Sequence, residues 1–227
     1  MTDSDTSRGL PTTRDEPESA TLDLPAIHRP LSAGQALGER YEIRDRLGRG
    51  GMGEVWHAFD LKLQVEVALK ALRTDLFKSE RRREVLRQEV RAAREVVSPN
   101  VCRVFDLHEM DGRELVAMEY VDGQTLLDVL KERGPLDLKE AQDIASQFLA
   151  GLEAIHDAGL VHRDINPENI MLTRAGRVVV MDFGIARQEA EGGGTASGTP
   201  AYMSPEQAAG QPLDARADLY AAGVVLA

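Results

Sequence analysis

The stretch that decides the fold is VHRDINPENIML at residues 161–172, together with VVVMDFGIAR at residues 178–187. Asp164 in the first stretch is followed five residues later by Asn169, and Asp182 follows the next apolar run. Magnesium takes few protein oxygens, because it keeps several waters and substrate phosphates supply others, so Asn169 and Asp182 suffice as the protein's share of a site. Asp164 then remains available as a base for a nucleophile. Taken singly, each of these residues is more often a turn-former or a helix cap.

A glycine-rich stretch, LGRGGMGEVW, lies at residues 47–56. Gly48, Gly50 and Gly53 fit the pattern G-x-G-x-x-G, which lets backbone amides approach phosphate without obstruction by side chains. A dinucleotide-binding version of this pattern should open a helix, and a Walker loop should end in Gly-Lys-Ser/Thr. A strand-like run follows the glycines here, which favours a hairpin folded over a nucleotide. An ordinary glycine-rich turn is the alternative.

The sequence predicts a lysine on the buried face of a strand in the first, sheet-forming part of the chain. Lys70 lies in VEVALKAL at residues 65–72, where strand alternation places it on the same face as Ala68. An unpaired ammonium is costly to bury, so Lys70 needs an anion. The next helical segment supplies Glu89, which shares one face with an apolar stripe. That stripe consists of Val85, Ala93 and Val96. We therefore predict a Lys70–Glu89 ion pair, the alternative being a lysine that extends outward to solvent.

The pattern along the chain divides the 227 residues into three parts. Residues 1–38 are rich in Ser, Thr, Asp, Glu and Pro without apolar periodicity, which predicts a disordered tail. Residues 39–118 carry strand-like runs, a turn at Asp111–Gly112 and one helix at about residues 78–97, which indicates a small antiparallel sheet. Residues 119–227 carry apolar residues at helical spacing and indicate a mainly α lobe. The predicted fold class is α+β.

Charge and cysteine content narrow the possible functions. The formal net charge of −11 disfavours nonspecific attraction to nucleic acid, because a phosphate backbone attracts a surplus of Lys and Arg. The single cysteine, Cys102, cannot form a disulfide within the chain and suits a reducing compartment, so we expect a cytoplasmic location. No apolar run approaches the roughly 18 residues of a membrane helix, and the start of the chain lacks the pattern of a signal peptide. We expect no membrane segment in this chain.

The motifs together resemble a known family. In chain order, LGRGGMGEV, VALK, Glu89, HRDINPEN, DFG and GTPAYMSPE resemble the signature of protein kinases, from Tyr41 to the last residue. GRGGMGEVW and YMSPEQAAG are similar to the motifs of bacterial serine/threonine kinases. The resemblance implies a bilobal kinase fold, ATP and Mg²⁺ as cofactors, and transfer of the γ-phosphate to a protein Ser or Thr hydroxyl. A pseudokinase or nucleotide-binding signalling scaffold is the alternative.

The resemblance also implies what each catalytic position does. Lys70, held by Glu89, would grip the α and β phosphates of ATP. Asp164 would orient the substrate hydroxyl and accept its proton, while Asn169 and Asp182 would hold magnesium. These contacts are nearly the whole catalytic apparatus, because phosphoryl transfer depends mostly on positioning and electrostatic stabilisation.

The adenine end of the site is implied in the same way. Val55, Ala68 and Met171 would enclose the adenine ring, Met118 would be the gatekeeper, and the backbone of residues 119–121 would read the adenine edge. The full set of implied ATP-binding residues is Leu47, Gly48, Arg49, Gly50, Gly51, Met52, Gly53, Glu54, Val55, Ala68, Lys70, Met118, Glu119, Val121 and Met171.

The chain departs from the family pattern at two places. Serine/threonine members have a lysine two residues after the catalytic Asp, whereas this chain has Asn166. We count Asn166 among the catalytic residues because its amide can donate a hydrogen bond, and we expect a loss in turnover on the order of 10²- to 10³-fold. The chain also ends at Ala227, inside a segment that resembles the start of the family's long central helix. We therefore expect it to be a fragment of a longer kinase.

Regulation by phosphorylation is expected in the segment between Asp182 and Glu206. Thr195 and Ser197 lie there in a Gly-rich stretch, and Arg163 beside the catalytic Asp is placed to pair with a phosphate. These two residues are the predicted regulatory phosphosites.

Overall fold

The structure is a computed structural model that describes residues 30–77, 79–182 and 199–227. Within these residues, the first part of the chain forms an antiparallel sheet in the order β1-β2-β3-β4-β6-β5. Its strands are β1 (Ala36–Leu37), β2 (Tyr41–Gly50), β3 (Gly53–Asp60), β4 (Val65–Leu72), β5 (Val104–Met110) and β6 (Arg113–Glu119). The prediction of an α+β fold that begins with a small antiparallel sheet is confirmed.

The two faces of this sheet are buried in different cores. On β4, Ala68 and Leu72 belong to the core beneath the sheet, whereas Val67 and Leu69 belong to a second core on the outer face. Lys70 lies between Ala68 and Leu72 on the inner side and is 7% exposed. The alternation predicted for this strand is therefore confirmed.

The hairpin between β5 and β6 turns at Asp111 and Gly112. Both residues have positive φ, 50° and 71°, as a two-residue turn that matches the twist of the strands requires. The predicted turn is confirmed.

Helix α1 (Glu80–Glu95) packs on β5. Ser79 caps its N-terminus, because its hydroxyl accepts a hydrogen bond from the Arg82 N–H. The buried residues of α1 are Leu86, Val90 and Ala93. This stripe is turned by about one residue from the predicted one, so Val85 and Glu89 are only half-buried at its edge. The difference arises because Leu86 and Val90 bury more apolar area than Val85 with Glu89.

The segment before β2 corrects the predicted tail. Leu31 is 4% exposed and Leu37 is fully buried in the outer core. β1 pairs with β2 in the register Leu37↔Tyr41, and the Gly34 N–H donates to the Ile43 carbonyl. The prediction of disorder through residue 38 is therefore wrong for residues 31–37, because a few isolated leucines can cover the outer face of a sheet without any periodic pattern of their own. The rest of the predicted tail, residues 1–29, lies outside the described residues.

Leu37→Ala is expected to destabilise the sheet by roughly 2–5 kcal/mol, because it leaves a cavity in a fully buried site. Urea denaturation measures the change in the free energy of unfolding. Leu63→Ala is the matched control, since Leu63 is 64% exposed and surface changes usually stay within about 0.5 kcal/mol. Equal destabilisation by the two variants would show that the segment before β2 does not hold the sheet.

The second part of the chain is mainly helical and includes a small sheet in the order β7-β8-β9. Its elements are β7 (Gly123–Thr125), α2 (Leu126–Arg133), α3 (Leu138–Asp157), β8 (Ile170–Thr173), β9 (Val178–Val180), α4 (Pro205–Ala208) and α5 (Ala215–Leu226). Thr125 caps α2 and Asp137 caps α3, each by accepting from a backbone N–H three residues later. Helix α3 carries the core with Phe148, Leu152 and Ile155. None of the helices described is both long and apolar enough to cross a bilayer.

Helix α5 has one buried and one exposed side. Ala217, Asp218, Ala221 and Ala222 face the protein. The exposed side carries Leu219, Tyr220, Val224 and Leu226.

Candidate active site

The glycine-rich stretch forms the hairpin between β2 and β3. Its register pairs Gly48 with Val55 and Gly50 with Gly53. A Cβ at Gly53 would lie 1.9 Å from the Ala71 carbonyl oxygen, so packing on β4 requires glycine there. At Gly48 and Gly50, in contrast, a Cβ would meet no described atom within 4 Å. The hairpin therefore leaves room along its glycines for a ligand, and the predicted hairpin is confirmed over the helix-opening alternative.

Two adjoining cavities lie beneath this hairpin. One, of about 460 Å³, is polar, and its lining includes Lys70, Asp164, Asn169 and Asp182. The other, of about 360 Å³, is more apolar, and its lining includes Val55, Ala68, Met118, Val121 and Met171. Asn169, Asp182 and the hairpin line both, so the two cavities form one cleft. One polar and one apolar cavity side by side suit a ligand that has a flat apolar end and an anionic end.

Nearly all of the predicted ATP-binding residues line this cleft, and Glu54 is the exception. Its carboxylate lies 3.7 Å from both Arg46 and Arg49. Glu54 is adjacent in sequence to Val55, whose side chain borders the apolar cavity, so alternation turns Glu54 to the outside of the hairpin. Sequence reasoning missed several cleft residues on β7, α2 and the loop after Asp164. These are Thr125, Leu127, Asp128, Lys131 and Glu168.

A larger groove of about 1090 Å³ lies between α2, α3 and the β8–β9 hairpin. Several of its polar side chains are already bonded within the protein. Arg133 pairs with Glu140 at 2.7 Å, and Gln147 Nε2 donates to the Gly176 carbonyl at 3.0 Å. The groove also lacks the glycine hairpin and the acids of the cleft, so size alone does not make it the active site.

Lys70 is paired with Asp182. Its Nζ lies 2.9 Å from Asp182 Oδ1, and the lysine side chain is 9% exposed. Lys70 and Glu89 form no ion pair in the described part of the chain, so the predicted Lys70–Glu89 pair is wrong for this structure. The stripe that α1 buries places Glu89 at its edge, and the acid that follows β9 reaches the lysine instead.

The loop after α3 presents Asp164 and Asn169 to each other. Asn169 Nδ2 donates to the Asp164 carboxylate at 2.8 Å and to its backbone carbonyl at 2.8 Å. The side-chain oxygen of Asn169 is thereby directed away from Asp164, as a cation ligand would need. Asn169 and Asp182 thus bring oxygen donors to the same cleft, and this donor set fits a magnesium ion.

His162 is fully buried and binds the backbone of the loop that carries Asp164. Its Nε2 lies 2.7 Å from the Met181 carbonyl, which can only accept, so Nε2 carries the proton. Its Nδ1 then accepts from the Asp164 N–H at 3.2 Å. His162 therefore acts as a structural support of the catalytic loop.

Asn166 stabilises the loop that follows Asp164 through hydrogen bonds to its backbone. It is 3% exposed, its Oδ1 accepts from the Glu168 N–H at 2.9 Å, and its Nδ2 donates to the Asp164 carbonyl at 3.1 Å. It thereby caps the 3₁₀ turn Pro167–Asn169. One N–H of the Asn166 amide is thus used by the loop, and the amide carries a second N–H. A catalytic role for Asn166 stays a prediction.

Asp218 on α5 is a site residue that sequence reasoning missed. It is 1% exposed, and its two oxygens accept from the backbone N–H groups of His162 and Arg163 at 2.7 and 2.8 Å. His156 Nε2 lies 2.8 Å from the same carboxylate. The only signal in the sequence was an acid inside an otherwise apolar helical run, and an acid in that setting must have buried donors.

Strand β6, which borders the apolar cavity, ends at Glu119, and contacts with neighbouring residues hold Glu119 in place. Its N–H donates to the Arg103 carbonyl at 2.8 Å, and its carboxylate pairs with Arg177. The Cys102 thiol lies 3.6 Å from the Glu119 carbonyl, and burial raises the pKa of this thiol. Cys102 therefore stays protonated and packs against Glu119.

Thr195 and Ser197 lie outside the described residues, as do Phe183 and Gly184 of the DFG motif. Phosphorylation of Thr195 and Ser197 stays a prediction.

A family model for the protein kinase domain matches residues 41–227. The chain belongs to the protein kinase family. The kinase is 45% identical over 209 residues to the serine/threonine-protein kinase PksC of Streptomyces coelicolor, with 86% of this chain and 38% of that protein covered. It is 40% identical over 200 residues to the serine/threonine-protein kinase PknB of Mycobacterium tuberculosis, with 84% and 32% covered. The chain thus spans about a third of the length of these curated relatives.

A solved structure gives the same result for the fold. The kinase superposes on the PknI kinase domain of Mycobacterium tuberculosis with a TM-score of 0.71 at 32% identity, covering 87% of this chain and 76% of that one. The predicted kinase fold and the resemblance to bacterial serine/threonine kinases are confirmed.

Proposed function

We propose that this kinase transfers the γ-phosphate of ATP to a Ser or Thr hydroxyl of a protein substrate. The observation that carries the proposal is the cleft beneath the glycine hairpin, where the Lys70–Asp182 pair and the Asp164–Asn169 pair line one cavity. The names of the relatives favour a serine/threonine kinase, and nothing in the described cleft favours the scaffold alternative.

Each described residue has a task in this reaction. Asp164 accepts the proton of the substrate hydroxyl, and Asn169 Nδ2 fixes the orientation of its carboxylate. Lys70 binds the anionic end of ATP from the floor of the cleft, and the hairpin supplies backbone amides above it. Val55, Ala68 and Met171 enclose the adenine, with the backbone of residues 119–121 at its edge.

Asn169 and Asp182 are the residues that would hold magnesium. When bound, the ion supplies positive charge against the phosphate oxygens. Asp182 has a φ of 55°, an uncommon conformation for a residue with a Cβ, and its carboxylate contacts Lys70 directly after β9. The same carboxylate is thus shared between a protein cation and the proposed metal.

The direct test is incubation with ATP labelled in the γ-phosphate, magnesium and a protein acceptor. We expect label on Ser or Thr, and none on Tyr, by phosphoamino-acid analysis. Mass spectrometry of the same reaction is expected to find phosphate on Thr195 or Ser197. Binding of ATP without any transfer to an acceptor or to the kinase itself would replace the proposal with the scaffold alternative. The cytoplasmic location and the lack of a nucleic-acid partner stay predictions.

Asn166→Lys is expected to raise kcat more than it changes KM, because an ammonium near the transferred phosphate stabilises charge that develops during transfer. It is also expected to cost about 1 kcal/mol of stability, because it removes the cap of the 3₁₀ turn. Enzyme kinetics and thermal melting measure the two effects. Asn166→Met is the matched control, since it loses the same cap without adding charge. If both variants have the same kcat, the missing lysine has no effect on turnover.

A further inference from the structure

The peptide unit between Arg163 and Asp164 is held at both of its polar ends. Its N–H donates to His162 Nδ1 at 3.2 Å. Its carbonyl oxygen accepts from Gln207 Nε2 at 2.9 Å. A carbonyl oxygen can only accept, so this contact requires the nitrogen of the Gln207 amide and not its oxygen. The orientation of the peptide that precedes the catalytic Asp164 therefore depends on a side chain of α4.

The backbone at Arg163 makes such support necessary. Its φ of 66° lies in the left-handed region, which is sparsely populated by residues that have a Cβ and persists only where neighbours hold it. Asp218 accepts from the Arg163 N–H at 2.8 Å, and Gln207 donates to the Arg163 carbonyl. Both backbone groups of the strained residue are thus bound, one by α5 and one by α4.

Gln207 is itself fixed by its surroundings. Ser204, which is fully buried, accepts from the Gln207 N–H at 3.3 Å through its hydroxyl. The Ala208 N–H donates to the Ser204 carbonyl at 3.0 Å. The 3₁₀ turn Pro200–Tyr202 packs on α5, the helix that carries Asp218. The segment 199–208 therefore brings the Gln207 amide to a defined place beside the catalytic loop.

We infer that Gln207 is a positioning residue that orients Asp164 for phosphoryl transfer and couples the placement of segment 199–208 to catalysis. The inference rests on the proposed function. Gln207 acts through the Arg163 carbonyl and not on the phosphate or the acceptor hydroxyl. A misplacement of a reacting group by about 1 Å costs on the order of 100-fold in rate, so one hydrogen bond at this peptide is enough to change turnover.

Three variants separate the donor from the shape of the side chain. Gln207→Met keeps the length and removes the donor, Gln207→Glu sets a carboxylate oxygen against the Arg163 carbonyl, and Gln207→Lys keeps a donor of similar reach. Gln211→Met is the control, because Gln211 is an exposed residue just beyond α4. For each protein, kcat, KM for ATP, the melting temperature and amide hydrogen exchange of residues 162–166 are measured.

The Met and Glu variants are expected to lower kcat by roughly 10- to 100-fold with KM for ATP unchanged. Their loop amides should exchange faster, and Gln207→Lys should recover much of both properties. The inference is overturned if Gln207→Met matches Gln211→Met in kcat, or if the Lys and Met variants lose kcat equally. Should the unaltered kinase transfer no phosphate, the proposed function fails. Exchange rates then test the structural part of the inference by themselves, namely that Gln207 holds the peptide between Arg163 and Asp164. Faster exchange in the Met and Glu variants supports that part, and unchanged exchange rejects it.

Discussion

Asp164→Asn is expected to lower kcat by a factor on the order of 10² to 10⁴, the usual contribution of a positioned base. Asparagine has nearly the same shape, and its side-chain oxygen can still accept from Asn169 Nδ2, which now lies 2.8 Å from the carboxylate. The loop should therefore keep its geometry while losing the group that accepts the substrate's proton. Steady-state kinetics give kcat, and calorimetry gives the affinity for ATP, which should be unchanged.

Asp143→Asn is the matched control for this prediction. Asp143 is an exposed carboxylate on α3, and it borders the large groove and not the cleft. The control should retain full kcat, so that loss in the Asp164 variant is not an effect of net charge. A kinase that kept its turnover without the Asp164 carboxylate would have another base or none, and the assignment of Asp164 would be rejected.

Local sequence patterns were enough to predict the strands, and the resemblance to the kinase family supplied most of the residues of the cleft. The alternation in β4 determines which side of the sheet each residue faces, and Asp111–Gly112 is typical of a two-residue turn with positive φ. The motif residues of the cleft are close in sequence to the elements that carry them. Asp164 and Asn169, for example, lie on one short loop, so their proximity follows from a spacing of five residues.

The contacts that the sequence did not predict join distant parts of the chain. Asp218 binds the Arg163 N–H across 55 residues, and Gln207 binds the Arg163 carbonyl across 44 residues. Neither contact follows from the periodicity of its own helix. The partner of Lys70 was predicted wrongly for a related reason. Asp182 and Glu89 are both suitable anions, and periodicity within α1 does not show that Asp182, 112 residues from Lys70 in sequence, lies 2.9 Å from its nitrogen.

Lys70→Met is expected to weaken ATP binding by roughly 10- to 100-fold, because a hydrogen bond to a charged group contributes about 1.5–3 kcal/mol. Methionine fills the space of the lysine stem between Ala68 and Leu72, so the fold should be retained. The variant also leaves the Asp182 carboxylate without the cation that lies 2.9 Å away. Calorimetry with and without Mg²⁺ measures the affinity, and Lys62→Met is the control, since Lys62 is exposed in the turn between β3 and β4.

Asp182→Asn completes the test, because Lys70 is proposed to bind the anionic phosphates of ATP, whereas Asp182 is proposed to bind the magnesium cation. The asparagine variant should lose most of the Mg²⁺ dependence of ATP binding, whereas Lys70→Met should bind weakly and keep that dependence. In the double variant the losses should not add, because each single change already breaks the Lys70–Asp182 pair. If both single variants bound ATP as the unaltered kinase does, with and without Mg²⁺, the cleft beneath the glycine hairpin would not be the nucleotide site. Additive losses would instead mean that Lys70 and Asp182 contact the nucleotide independently, and that their ion pair has no part in binding.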